Sequence, residues 1–277
     1  MAVLSIQSHV AFGAIGNRAA VLVLERLGIE TWSVPTVLYS NHPGHATFRG
    51  ERVAVPAIRA MIEGLGEVVP WQSCQAVLSG YAADSGVVDL VVDAVHRVRH
   101  ANPQGFLACN AAFANEDGVF VPEPVARATC HALFREAGLL FLNQAELEFA
   151  TGRVVAGVTA ARNVARELWQ QTTKAIVVTS VRSEDGATAT IALERDATWV
   201  VETPRLPGPA HGAGDLFSAL FLAHWLKRRS PAEALAKSVA GTFGVIAASG
   251  EALDLALVSA QEEIVAPSRV FAVRPLA

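Results

Sequence analysis

The sequence predicts an α/β protein whose mainly parallel sheet is covered by helices on both faces. Short runs of β-type residues alternate with stretches of helical period along the whole chain. Polar residues and glycines gather just after those runs, where open α/β sheets bind their ligands. Hydrophobic residues make up 52% of the 277 positions and charged residues 17%, enough apolar material for a sizeable core.

The elements follow in order. A strand is expected over 3–6 and a helix over 17–27, ended by Gly28. A strand over 31–37 precedes a hairpin-like excursion over 47–55 around Gly50. Pro56 stands in the first turn of a short helix over 56–65. A buried-type strand covers 76–79 and a helix 86–100. Strand 106–109, helix 124–137, strand 139–142, helix 160–170 and strand 175–179 continue the alternation. Segments 187–193 and 198–202 read as an antiparallel pair, and helices over 214–227, 231–248 and 255–264 follow. With no low-complexity linker and no internal repeat, 1–277 reads as a single domain.

Composition excludes several function classes. Lys and Arg number 22 against 26 Asp and Glu, a net charge of −4, and the longest basic run is Lys227-Arg228-Arg229. Nucleic acid is therefore disfavoured as a partner. Mean hydropathy is high, at +0.34. Even so, the apolar stretch 216–226 contains His224 and stops at Lys227, short of the roughly 18 to 20 residues a span requires. No membrane partner is expected. Residues 1–7 lack the basic and apolar regions of a secretory signal. Cys74, Cys109 and Cys130 are widely spaced, which fits a reduced cytoplasmic compartment.

The expected strand ends carry Gln7-Ser8-His9, then Ser40 through His45, Gly80-Tyr81, and Asn110 with Asn115. Asn143 with Glu146 one turn on, Thr179-Ser180, and the run from Pro209 to Asp215 complete the set. There is no GxxxxGK[ST], and Gly13 and Gly16 do not make a GxGxxG, so a P-loop and a dinucleotide fingerprint are absent.

Gly212-Ala213-Gly214-Asp215 has the physics of an anion site. Small residues at a helix start leave backbone N–H groups open, and the helix dipole adds positive character there. A carboxylate in the same turn can accept a proton from a hydroxyl while a phosphoryl group transfers. The same residues also fit a simple first-turn acid behind a glycine turn. Asn143 and Glu146 share a helix face and could hold a metal-bound water and a phosphate oxygen. They equally fit a capping box. His42 and His45 bracket Pro43-Gly44 without a third ligand at zinc spacing, so they read as a turn or a substrate contact.

In this order the pieces resemble the ribokinase-like superfamily and, within it, the pyridoxal (vitamin B6) kinases. The matching stretches are Val3 to Val10 with Gly16 to Ala20, Tyr39-Ser40-Asn41-His42, Leu78-Ser79-Gly80-Tyr81, Asn143 to Glu146 through Thr151-Gly152, Val178-Thr179-Ser180, and Gly212 to Phe217. The resemblance implies a three-layer αβα sandwich and ATP-dependent phosphorylation of a B6 vitamer. Asp215 would be the base acting on the 5′-hydroxymethyl group, and Gly212, Ala213 and Gly214 the anion hole. Ser8 would bond the pyridine ring, and Ile15, Val37, Tyr39 and Tyr81 would pack around it beneath 43–48. Asn143, Glu146, Thr179 and Ser180 would face ATP, with Glu146 near Mg²⁺ through water. A monovalent cation such as K⁺, a homodimer and a cytoplasmic location are also implied.

This chain departs from the family pattern at several positions. After the fifth strand, family members resemble Cys-Asp-Pro-Val-Met-Gly-Asp, and here Cys109-Asn110-Ala111-Ala112-Phe113-Ala114-Asn115 stands instead. Two carboxylates become neutral amides at the nucleotide and metal positions Asn110 and Asn115. An amide does not neutralise a divalent cation, so weaker metal binding is expected. Pro43 stands where a threonine usually meets substrate, and His45 replaces a tyrosine. Two alternatives follow. One is a kinase of the same fold acting on a pyrimidine, sugar or nucleoside. The other is a catalytically impaired binder of vitamer or nucleotide.

Overall fold

The computed structural model describes residues 1–183, 186–208 and 210–276; Pro209, the first residue of the predicted glycine run, lies outside them. The chain begins with β1 (Ala2–Val10), α1 (Asn17–Arg26), β2 (Glu30–Tyr39), β3 (Gly50–Arg52), α2 (Val55–Val68) and β4 (Cys74–Ser79). Next come α3 (Ser85–Ala101), β5 (Phe106–Asn110), the small strands β6 (Ala114–Asn115) and β7 (Gly118–Val119), α4 (Glu123–Ala128) and α5 (Phe134–Glu136). The order continues with β8 (Ala137–Asn143), α6 (Gln144–Thr151), α7 (Gly157–Arg166), β9 (Ala175–Arg182), β10 (Thr188–Leu193) and β11 (Thr198–Thr203). It closes with α8 (Ala213–Arg228), α9 (Pro231–Ser249), α10 (Glu262–Val265) and β12 (Arg274–Pro275).

One sheet runs in the order β12-β11-β10-β9-β8-β5-β4-β1-β2-β3. The six strands from β9 to β2 are mutually parallel, and the antiparallel pairs lie at its two margins. Central strands buried on both faces read as apolar runs, and neighbouring residues feed opposite layers. Leu4 and Ile6 join the core beneath α2 and α3, whereas Val3 joins the core beneath α1, α8 and α9. The chain leaves β1 toward β2 on one side and β4 toward β5 on the other, so the crevice beyond β1 and β4 is the topological switch point.

The apolar stretch 216–226 is a core helix. α8 is buried nearly all round because it packs between the sheet, α1 and α9. Among the described residues no helix is long and apolar enough to cross a membrane.

Several expectations shift. Gln7, Ser8 and His9 lie inside β1, and Thr179 and Ser180 inside β9, because ladder pairing extends both strands beyond their apolar runs. Gly50 is not a hairpin tip: it pairs with Tyr39, and residues 40–49 form the connection. The helix expected over 124–137 is interrupted by a π-turn at Thr129–Leu133, and Ala137 opens β8. The helix expected over 160–170 runs instead over Gly157–Arg166. Of the helix expected over 255–264, only Glu262–Val265 forms one. Leu255 and Leu257 are buried from a turn segment, so their apolar spacing serves packing without helix.

Candidate active site

The first turn of α8 is built by backbone exclusion. Gly212 caps it with φ +93°, and a Cβ there would stand 2.0 Å from the Ala14 carbonyl oxygen. Only glycine lets the segment after β1 lie against the helix start. Gly214, by contrast, has nothing within 4 Å of the equivalent position and is exposed, so the N-terminal end of α8 is open on that side.

Asp215 is held at both oxygens. The Gly16 N–H donates to Oδ2 over 2.7 Å, and Asn110 Nδ2 donates to Oδ1 over 2.9 Å. Burial pushes the carboxyl above the usual aspartate range, and the two hydrogen bonds oppose that rise. A carboxylate whose pKa is raised is a stronger proton acceptor than an exposed one.

Of the predicted substrate residues, Ser8 lies against Gly16 and Ile15 against Gly212. Ser8, Ile15 and Val37 are buried, and Tyr39 and Tyr81 are half-buried. Thr36 Oγ1 donates to the Tyr81 carbonyl over 2.9 Å, and the Tyr39 ring meets Phe48 edge-on at 5.2 Å. Pro43 is exposed on the 40–49 loop. The His45 Nε2 lies 2.7 Å from Asp254 Oδ2, and the His42 ring stacks on His211 at 3.9 Å. Burial, followed by the neighbouring His211, pushes His42 down to about 4. His42 therefore fastens the loop to His211, the residue just before Gly212, and His45 fastens it to Asp254, which forms a bridge with His211. Sequence reasoning missed His211 and Asp254. Adjacency to the glycine run was the available signal for the first, and nothing in the linear pattern marked the second.

Asn143 and Glu146 realise the capping box. Asn143 Oδ1 accepts from the Glu146 N–H and Glu146 Oε2 from the Asn143 N–H. They do more than cap: Glu146 Oε1 also accepts from the Phe113 and Ala114 N–H groups, and Asn143 Nδ2 donates to the Ala114 carbonyl over 2.6 Å. Glu146 is fully buried there, and desolvation pushes it up to about 7. Asn115 is exposed, its Oδ1 taken by the Asp117 N–H. Among the described residues no group of three or more His, Cys, Asp or Glu is placed to hold a metal.

Thr179 and Ser180 line a cavity of about 210 Å³ with Ala213, Gly214, Phe243 and Ile246. Ser180 adopts a left-handed φ of +57°. The cavity thus touches the first turn of α8 at Ala213 and Gly214. A larger hollow of about 400 Å³ lies by the π-turn, lined by Arg127, Phe134 and Phe149, and shares no lining residue with this one.

The chain is similar over its length to known kinases. Residues 13–254 match the family model of phosphomethylpyrimidine kinase. Pyridoxal kinase PdxY of Rubrobacter xylanophilus is 39% identical over 285 residues, covering 99% of this chain and 97% of the relative. The Corynebacterium diphtheriae pyridoxal kinase PdxY is 34% identical over 283 residues and the whole of both chains. The structure of Leishmania donovani pyridoxal kinase in complex with ADP and pyridoxamine superposes with a TM-score of 0.93 at 26% identity, over 99% of each chain. Pyridoxal kinase of Entamoeba histolytica, at 19% identity and a TM-score of 0.91 over 99% of each chain, shares the fold. With a full-length match at this identity, a ribokinase-like sheet order and a carboxylate at the glycine-rich helix start, the chain belongs to the pyridoxal kinase family.

Proposed function

We propose that this chain, acting as one ribokinase-like domain, transfers the terminal phosphoryl group of ATP to the 5′-hydroxymethyl group of a B6 vitamer, giving pyridoxal 5′-phosphate from pyridoxal. The observation that carries this reading is Asp215, whose two oxygens are fixed at 2.7 and 2.9 Å beside an open helix N-terminus. The vitamer hydroxyl lies between that carboxylate and the phosphorus. Its proton passes to Asp215 as its oxygen bonds phosphorus, and the bond to the ADP oxygen breaks with its electron pair. Charge on the phosphoryl oxygens meets the backbone N–H groups of Gly212, Ala213 and Gly214.

Ser8 hydrogen-bonds the pyridine ring, Ile15, Val37, Tyr39 and Tyr81 pack around it, and Pro43 and His45 lie over it. Asn143, Thr179 and Ser180 face the nucleotide, whose base and ribose fit the 210 Å³ cavity. Glu146, whose oxygens already accept from three backbone N–H groups, and Asn115 would be the residues toward Mg²⁺, which together with K⁺ would screen the charge of the triphosphate. The family resemblance supports a homodimer, and three free cysteines support a cytoplasmic location.

A second reading, phosphorylation of a hydroxymethylpyrimidine, is favoured by the family model over 13–254. ATP consumption by purified protein with pyridoxal, pyridoxine, pyridoxamine and a hydroxymethylpyrimidine, across several Mg²⁺ concentrations and with Asp215→Ala as control, separates the two. Vitamer turnover that vanishes in the control supports the first. Turnover of the pyrimidine alone supports the second. Nucleotide binding without any turnover overturns both in favour of an impaired binder.

A further inference from the structure

The resemblance assigns position 110 to the nucleotide, yet the Asn110 side chain points at the base. Asn110 ends β5, is 8% exposed, and sends its amide to Asp215 Oδ1 over 2.9 Å. The amide stands with its nitrogen toward Asp215, so it donates, and a donated hydrogen bond favours the ionised over the protonated carboxyl. We propose that Asn110 is the positioning residue of the phosphoryl-transfer base, holding the Asp215 carboxylate in one orientation and in its ionised form. This rests on the kinase reading of Asp215 and adds to it a reason for the amide.

The surroundings of Asp215 leave this task to few groups. The segment before α1 supplies one N–H, from Gly16. The start of α6 supplies Glu146, a second buried carboxyl that feels the Asp215 charge and is itself pushed up. The first turn of α8 holds Asp215 and no other acid, and the helix's basic residues, Lys227 and Arg228, lie in its last turn. An aspartate at 110 would put a third carboxylate against the pair. The neutral amide instead gives a hydrogen bond that favours the charged form without adding charge. It thereby offsets part of the desolvation that burial imposes on Asp215.

The test is the titration of Asp215 in wild type, Asn110→Asp and Asn110→Ala. Carboxyl-carbon NMR of protein labelled only at aspartate reads it, with the signal assigned by its loss in Asp215→Asn. The kcat/KM–pH profile reads it a second time. The expected result is an upward move of the Asp215 midpoint, by about one pH unit or more in Asn110→Asp and by less in Asn110→Ala. The acid limb of kcat/KM should follow, with about a tenfold further loss per unit below it and little change in the KM for ATP. Unmoved midpoints overturn the proposal. So does a raised KM for ATP with an unmoved acid limb, which returns Asn110 to the nucleotide. Either variant alone suffices if the other fails to fold. If wild type turns over no vitamer, the kinase reading fails, while the NMR midpoints still decide what Asn110 does to Asp215.

Discussion

The N–H of Gly16 donates to Oδ2 of Asp215 over 2.7 Å, joining the turn before α1 to the first turn of α8. The turn that follows β1 thereby also holds the proposed base. Asp215→Asn preserves this shape but cannot take a proton from the hydroxyl. Its kcat should fall by roughly two or more orders of magnitude, and that of Asp215→Ala likewise. ATP binding by calorimetry should stay within about twofold of wild type. Near-normal turnover in either variant would remove Asp215 from the mechanism.

The two glycines of the helix start should separate folding from chemistry. Gly212→Ala forces a Cβ against the Ala14 carbonyl at a φ of +93°, and a loss of about 1–3 kcal/mol in urea unfolding is expected together with lost activity. Gly214→Ala meets nothing within 4 Å. It should unfold no earlier than wild type and yet turn over more slowly, because its methyl lies at the open end of the helix where the anion approaches.

Glu146 should make the unliganded protein less stable as pH rises. Its carboxyl is pushed from the ordinary 4.5 up to about 7 by burial. The folded state therefore binds a proton that the unfolded state has released. Stability from this group is complete below about pH 4.5 and is lost as pH climbs through about 7, a difference of about 3 kcal/mol at most. Urea midpoints between pH 5 and 8 should show this decline, and Glu146→Gln should flatten it. An unchanged slope in the variant would place the ionisation elsewhere.

The contact between His45 and Asp254 should govern vitamer affinity. It ties the 40–49 loop to the segment that also bridges His211. Replacing Asp254 with Asn or His45 with Ala should raise the KM for vitamer several-fold and leave the KM for ATP unchanged. Parallel rises in both constants would mean that the contact supports the fold at large.

Asn115 bears on the metal. Asn115→Asp adds a carboxylate at the exposed end of β6, on the predicted nucleotide side. If that position meets Mg²⁺, the concentration for half-maximal activity should fall. An unchanged metal curve would show that the chain manages phosphate charge without this position.

The order of elements and the helix start that carries Asp215 were legible in the sequence because both depend on local chemistry. Central strands such as β1, β4 and β8 must be apolar on both faces, and the helix start at Gly212 needs small residues beside an acid; linear patterns carry both. The capping box of Asn143 and Glu146 was equally local. Strand ends were less so: Ser8 and Ser180 sit inside their strands because neighbouring strands extend the ladders. Apolar spacing over 255–264 mimicked a helix because buried turns also need leucines.

The partners of Asp215 belonged to the tertiary structure alone. Gly16, Asn110 and Asp215 lie far apart in the chain, and nothing about an asparagine at the end of β5 says which way its amide points. Glu146 meeting the Phe113 and Ala114 amides, and His45 meeting Asp254, are of the same kind. Sequence periodicity records which face a residue occupies within its own element. The hydrogen bonds that set the charge and aim of a catalytic carboxylate form between elements, and only their packing against a common sheet brings them within reach.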